Sequence, residues 1–358
     1  MSTIPPDLMA DEAAAIHTAA SSGRRAARAD RGGFSSYLAT KVGAALISFL
    51  ATVVIAFVMF SLLPANPVRT LTEGRMVTQA QLATLRHSLG IGQPIYTRFW
   101  HYLDNLLHLR LGYSYQFREP VSTLIGQRLG PTLLLMGVAT AISIVIGLWL
   151  GIRSGWRHGS RLDKWASGIS LGLWSVPAFW LGIILLVVFS VGIGPIPSLF
   201  PAGGMHSADL SGGPLAYVVN VAWHMVLPCA TLVLVVFAQY VTIMRASIID
   251  ELGAPYLLTA RAKGLRDDEV RRRHAVPNAL LPSVTVIFLQ LGMMVSGAIT
   301  VEVVFSWPGL GYLSYQALQI PDIQLLEGTF VVFSAAVIAM NLVADLVYRF
   351  LDPRVRAQ

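Results

Sequence analysis

Six apolar runs alternate with polar segments along the 358-residue chain, at 42–63, 132–152, 166–191, 221–244, 283–304 and 328–351. A helix needs about 20 apolar residues to cross the hydrocarbon core of a bilayer. Each run is long enough, so the pattern predicts an all-α, polytopic membrane protein with six transmembrane helices. Two regions stand outside this alternation. Residues 1–35 form a polar, Ala- and Arg-rich tail with no apolar core of the signal-peptide kind. Residues 64–130 form a long segment in which Thr78 precedes a Leu-periodic stretch, the signature of a capped surface helix. Residues 36–358 are read as one transmembrane domain.

Charge sets the predicted orientation. The 192–220 and 305–327 segments contain no Lys or Arg, whereas the 153–164 loop holds four and the 245–282 loop seven. Positive residues in short loops mark the cytoplasmic side. Six crossings with both termini cytoplasmic satisfy that rule. The 64–130 segment carries seven arginines yet falls outside, which the rule tolerates in loops longer than about 60 residues. With 54% hydrophobic and only 13% charged residues, the composition excludes an ordinary soluble enzyme. The net charge of +7 sits beside the apolar runs, so topology explains it without nucleic acid.

The loop 245–282 contains its own helix signal. Pro255 suits a first helical turn, residues 256–263 carry no breaker, and Gly264 suits the position just past a helix end. Arg261 and Lys263 would lie in the last turn, where the helix dipole favours cations. The pattern allows two readings: a solvated loop that enforces topology, or a cationic knob for a cytosolic partner.

This loop resembles the EAA loop of ABC importer permeases. Aligned on Gly264, the Glu-Ala-Ala positions fall on Leu258, Thr259 and Ala260, and the terminal proline on Pro277. Thr259 to Leu265 (T-A-R-A-K-G-L) is closer to the dipeptide/oligopeptide/nickel branch, in which the leading Glu is commonly absent. The resemblance extends over nearly everything after Ser36. It includes L-L-P-A-N-P-V-R from Leu62, L-R-H-S-L-G from Leu85, L-G-Y-S from Leu111, R-L-G-P-T-L from Arg128 and S-V-P-A-F-W-L-G from Ser175. E-V-V-F-S-W-P-G-L-G from Glu302 and L-D-P-R-V-R from Leu351 complete it.

The resemblance implies the type I ABC importer permease fold and a subunit of the bacterial plasma membrane. It implies a path for di- or oligopeptides built with a second permease subunit, with nickel or haem transport as alternatives. ATPase subunits would bind ATP and Mg, leaving no cofactor in this chain, and an extracytoplasmic substrate-binding protein would deliver the cargo. Coupling to the ATPase falls on Thr259, Ala260, Arg261, Ala262, Lys263, Gly264 and Pro277.

Other chemistries are poorly supported. None of the three lysines follows glycine, so there is no Walker A loop and no expected nucleotide site. Gly168 to Gly172 reads G-x-S-x-G, but a hydrolase elbow needs a strand before it, and this lies in an apolar run. His224 is its one distant candidate base, and Gly-xxx-Gly helix packing explains the glycines, as at Gly147 and Gly151. The histidines show no metal-binding spacing, and Cys229 is the single cysteine. Few buried acids and no inverted repeat argue against an autonomous secondary carrier. Polar residues within the apolar runs are candidates for a translocation path: Gln290, Glu302 and Asn341. Glu302 could instead hydrogen-bond the aromatic-Pro-Gly turn that follows it, and Asp345 could pair with Arg349 one turn on.

Overall fold

The computed structural model describes residues 36–62, 93–209, 211–293 and 299–351. The N-terminal tail, the helix expected near Thr78, the Leu85 motif and the C-terminal D-P-R-V-R lie outside the described residues. Contacts divide the chain into two compact units, 1–50 and 51–358. In the first, the described residues are helical, and the Thr40 hydroxyl donates to the Ser36 carbonyl at 2.9 Å.

The described chain is helical apart from a two-residue antiparallel ribbon. The elements are α1 (Ser36–Leu62), α2 (Ile95–Leu107), β1 (Tyr113–Ser114), β2 (Glu119–Pro120), α3 (Val121–Trp156), α4 (Arg161–Trp174) and α5 (Ala178–Leu186), which runs into a π-helical turn, Val187–Gly192. There follow α6 (Pro214–Leu252), α7 (Pro255–Ala262), α8 (Asp267–Val270) with a π-helical turn Arg271–Ala275, α9 (Val276–Met293), α10 (Ile299–Val304), α11 (Leu310–Gln319) and α12 (Ile323–Leu351). Among the described residues, α1, α3, α6 and α12 are long and apolar enough to cross a membrane, and the α4–α5 pair makes a fifth if counted as one span. The run expected at 283–304 falls on α9 and α10, with residues 294–298 outside the described ones.

The run expected as one helix over 166–191 is two helices bent by 97°. Pro177 is the reason. It cannot donate to the helical ladder, and it pushes Val176 out of the helical region. The Ser175 hydroxyl closes the end of α4 on the Gly172 carbonyl at 2.7 Å. The start of α4 is fixed by Ser160, whose hydroxyl accepts from the Asp163 N–H at 3.2 Å. Asp163 in turn accepts from Gly159 N–H at 2.9 Å and from the Arg245 guanidinium at 2.5 and 3.0 Å, which pins α4 to the end of α6.

Helices α3 and α6 form the central pair. Gly147, Gly151 and Gly155 make a stripe along α3 against Tyr240, Met244 and Ile248 of α6. A Cβ on Gly147 would come within 2.5 Å of Tyr240 Cβ and 2.9 Å of the Phe237 carbonyl oxygen. Close approach of the two backbones therefore requires these glycines, as small-xxx-small packing does. Gly168 and Gly172 differ: nothing lies within 4 Å of a Cβ on either, so that pair packs no helix in this chain.

Candidate functional site

Helix α6 does not stop at the expected 244 but runs on to Leu252, and α9 begins at Val276. The expected 38-residue loop thus shrinks to a compact connector, 253–275, closed over its own core. Pro255 opens α7 and Gly264 ends it at φ +80°. The Gly264 N–H donates to the Arg261 carbonyl at 2.9 Å and the Leu265 N–H to the Ala260 carbonyl at 3.4 Å. These are the two bonds of a Schellman cap.

Below the cap, Leu257, Ala260, Val270 and Ala275 are buried together, with Leu265 and Trp156 packed against them. Trp156 is the last residue of α3, and its indole N–H donates to Asp267 at 2.8 Å. The Arg261 guanidinium lies 5.8 Å from the Trp156 ring centroid and 3.5 Å from Asp267. Tyr256 donates to Glu251 and accepts from Asn278 Nδ2 at 3.0 Å, which ties α7 to both flanking helices. Burial, and secondarily the Glu251 carboxylate, raises the Tyr256 phenol pKa above its ordinary value.

The connector is therefore two-faced. Leu257 and Ala260 face inward, while Leu258, Thr259, Arg261, Ala262, Lys263 and Gly264 are exposed. Ala260, expected among the coupling residues, is only 5% exposed and instead seats the helix, because it lies three residues from Leu257 on the same face. Pro277, in the first turn of α9, is exposed. Arg271 and Arg272 pair with Asp268, and Arg273 with Glu269 at 2.8 Å. Among the described residues Lys263 and Arg266 make no ion pair.

The E-V-V-F-S-W-P-G-L-G stretch forms a tight turn bonded to α3. Glu302 is fully buried and accepts from the Thr132 hydroxyl at 2.8 Å and the Tyr312 N–H at 3.0 Å. Thr132 also accepts from the Leu310 N–H at 2.8 Å, and the Trp307 indole donates to the Pro131 carbonyl at 2.9 Å. A Cβ on Gly309 would strike the Glu302 carboxylate. Glu302 thus takes the turn-bonding place of its two readings, away from any open surface in this chain. Gln290 donates to Gln239 Oε1 at 2.6 Å, and Asn341 is exposed. The Arg349 side chain lies outside the described ones.

The ribbon β1–β2 anchors a second remote contact. The Ser114 hydroxyl donates to Asp322 at 2.7 Å, and the Tyr113 N–H to Gln324 at 2.8 Å. Sequence reasoning missed Trp156, Asp267, Asp322 and Thr132 as positioning residues. Thr132 lay in the R-L-G-P-T-L motif and Asp267 in the loop 245–282, whereas Trp156 and Asp322 lay in no motif.

The hydrolase reading finds no base. The Ser170 hydroxyl is buried with no hydrogen-bond partner, and His224 Nδ1 is engaged by the Asn220 carbonyl of its own helix at 2.9 Å. Among the described residues no three His, Cys, Asp or Glu side chains gather as a metal site.

Several known proteins are similar to this chain. A chain from inward-facing crystals of the MetNI methionine ABC transporter is 18% identical, with a TM-score of 0.49 over 64% of this chain and 97% of that chain. A Brucella suis protein named as a peptide permease is 38% identical over 86% of this chain and 94% of its own length. The glutathione transport system permease protein GsiC of Pectobacterium atrosepticum is 35% identical, covering 86% and 95%. The dipeptide transport system permease protein DppB of Escherichia coli K12 is 31% identical, covering 89% and 98%. Residues 35–136 match the N-terminal membrane component of binding-protein-dependent transport systems, and residues 143–357 match their inner membrane component. The chain belongs to the family of binding-protein-dependent transport system inner membrane components.

Proposed function

We propose that this chain is a permease subunit of an ATP-driven importer of di- and oligopeptides, paired with a second permease. The names of its relatives support the substrate class. The observation that carries the coupling role is the two-faced α7. Its inner face is fixed to α3 through Trp156, while its outer face presents Leu258, Thr259, Arg261, Ala262 and Lys263 on a cap that needs glycine. A partner ATPase that binds ATP and Mg would push on this face. Charge placement puts α7 and both termini in the cytoplasm. A substrate-binding protein would deliver peptide at the opposite side, and Gln290 and Asn341 are assigned to the path. Covalent chemistry stays with the ATPase.

Displacing α7 must displace the end of α3. Helix α3 has 36 residues, about 54 Å at 1.5 Å each. Its other half holds the Glu302–Tyr312 turn through Pro131 and Thr132. One continuous helix thereby joins the coupling face to the Glu302 turn.

Cysteine crosslinking in native membranes tests this reading. Cys229 is the single cysteine and is buried, so an introduced thiol reports alone. Leu258→Cys and Lys263→Cys should crosslink to a P-loop ATPase, and Ala260→Cys should not. Copurification of the ATPase with no adduct at any exposed α7 position would refute the assignment.

A further inference from the structure

A cavity of about 90 Å³ opens between α2, the strand entry at 110–112 and the first turns of α12. Its walls are alkyl groups of Leu106, Leu111 and Val331. Its polar lining is the Glu327 carboxylate, the Tyr102 phenol and the amides of Asn105 and Gln324. The Tyr102 hydroxyl is buried with no hydrogen-bond partner. Among the described residues, the Glu327 carboxylate also accepts no hydrogen bond and enters no ion pair; Arg98 is the cation whose field reaches it. An unpaired buried polar group such as the Tyr102 hydroxyl is costly and calls for a partner. Burial first, and the Glu327 charge second, raises the Tyr102 phenol pKa well above its ordinary value.

The cavity is held open by its frame. Gln324 is fixed by the Tyr113 N–H at 2.8 Å, and Phe57 stacks on Tyr102 with centroids 5.5 Å apart. Gly328 lets α12 approach so closely that a Cβ there would lie 2.6 Å from Val121 Cγ1.

We infer that this cavity binds a primary ammonium group on a short alkyl stem. A carboxylate and a phenol oxygen at the base of an alkyl-walled space match the three N–H donors and the positive charge of R–NH₃⁺. The cavity has room for an aminoalkyl tip, and a trimethylammonium carries no N–H to donate to the two oxygens. No second acid or histidine lines the cavity, so a multidentate metal site is unsupported. Arg110 on the same lining suits an anionic group carried by the same ligand. Two sources share this chemistry: the amino terminus of a small peptide and the aminoethyl phosphate headgroup of a lipid. The inference concerns binding alone and stands apart from the transport reading.

The test uses the full chain in nanodiscs of phosphatidylglycerol, which has no amine. Calorimetric titration with ethanolamine and with Ala-Ala, and native mass spectrometry after doping with phosphatidylethanolamine, separate solute from lipid. Binding in either arm, with no response to choline or N-acetyl-Ala-Ala, is the expected result. Glu327→Gln should weaken that binding at least about tenfold, the scale of one hydrogen bond to a charged group. Tyr102→Phe, which removes only an unpaired hydroxyl, should weaken it severalfold and serves if Glu327→Gln fails to fold. No binding in either arm, equal binding of choline, or wild-type affinity in a folded Tyr102→Phe chain overturns the inference.

Discussion

Gly264 offers the most discriminating perturbation of the coupling face. Its φ of +80° belongs to the left-handed region, which costs an L-residue about 1–2 kcal/mol. A Cβ there meets nothing within 4 Å, so the cost comes from backbone alone and no repacking can relieve it. Gly264→Ala should therefore destabilise the α7 cap by about 1 kcal/mol, and Gly264→Val by about 2 kcal/mol or more, because branching at Cβ worsens the same clash. If the chain escapes the strain by abandoning φ +80°, it forfeits the bonds from Gly264 and Leu265 to α7, each worth about 1 kcal/mol. Gly253 is the internal control. It caps the end of α6, two residues before α7 begins, at an ordinary φ of −83°, so Gly253→Ala should be neutral or slightly stabilising. The assay compares peptide uptake with ATP hydrolysis in reconstituted complex at matched expression. Gly264→Val should hydrolyse ATP with uptake strongly reduced, while Gly253→Ala keeps both. Normal uptake by correctly inserted Gly264→Val would refute the argument that the cap holds the coupling face.

The other interhelical contacts give sharper stability predictions. Gly151→Val should lower the melting temperature severely or block folding, because a Cβ there already sits 2.7 Å from Met244 Cβ and 2.9 Å from the Val241 carbonyl, and packed backbones cannot yield. Gly168→Ala should leave melting unchanged, since its Cβ meets open space. Thr132→Val keeps the shape but strips one donor from buried Glu302 and one acceptor from the Leu310 N–H, a loss of about 2–3 kcal/mol readable by thermal unfolding in detergent. Asp163→Asn weakens the partly buried bond to Arg245 and should cost about 1–2 kcal/mol by the same measurement.

What could be read from the sequence follows the range of the forces involved. Apolar runs, Pro255 and Gly264 act within one helix or one turn, so their outcome is written locally, and α7 with its cap appears where the residues place it. The 97° bend at Pro177 was equally local, yet the apolar run masked it, because hydropathy averages over a proline that a helix cannot ignore. The extension of α6 to Leu252 was hidden for the opposite reason. Polar residues end an apolar run without ending a helix. The bonds that assemble the candidate site join residues far apart in the chain: Thr132 with Glu302, Trp156 with Asp267, Ser114 with Asp322. No periodicity reports such pairs. Glu327 was overlooked as the last residue of an apparent loop, although it lies in the second turn of α12.

These remote bonds share a feature that bears on how the chain works. Each of the two stretches bonded to α3 contacts it at a different place along that helix. Asp267 reaches Trp156 at one end, and the Glu302 turn reaches Pro131 and Thr132 toward the other. Between them the Gly147–Gly151–Gly155 stripe clamps α3 to α6 with no slack for sliding. A packed interface of that kind is stiff, so under the proposed coupling role force entering through α7 would move α3 and α6 as one body. The 97° break places α4 and α5 differently: Asp163 fixes the start of α4 to α6, while the bend at Pro177 separates α5 from it. The division of labour follows from which contacts admit no methyl group and which face open space. Under the proposed coupling role the α3–α6 pair would transmit, whereas a Cβ on Gly168 or Gly172 in the bent pair would meet nothing within 4 Å.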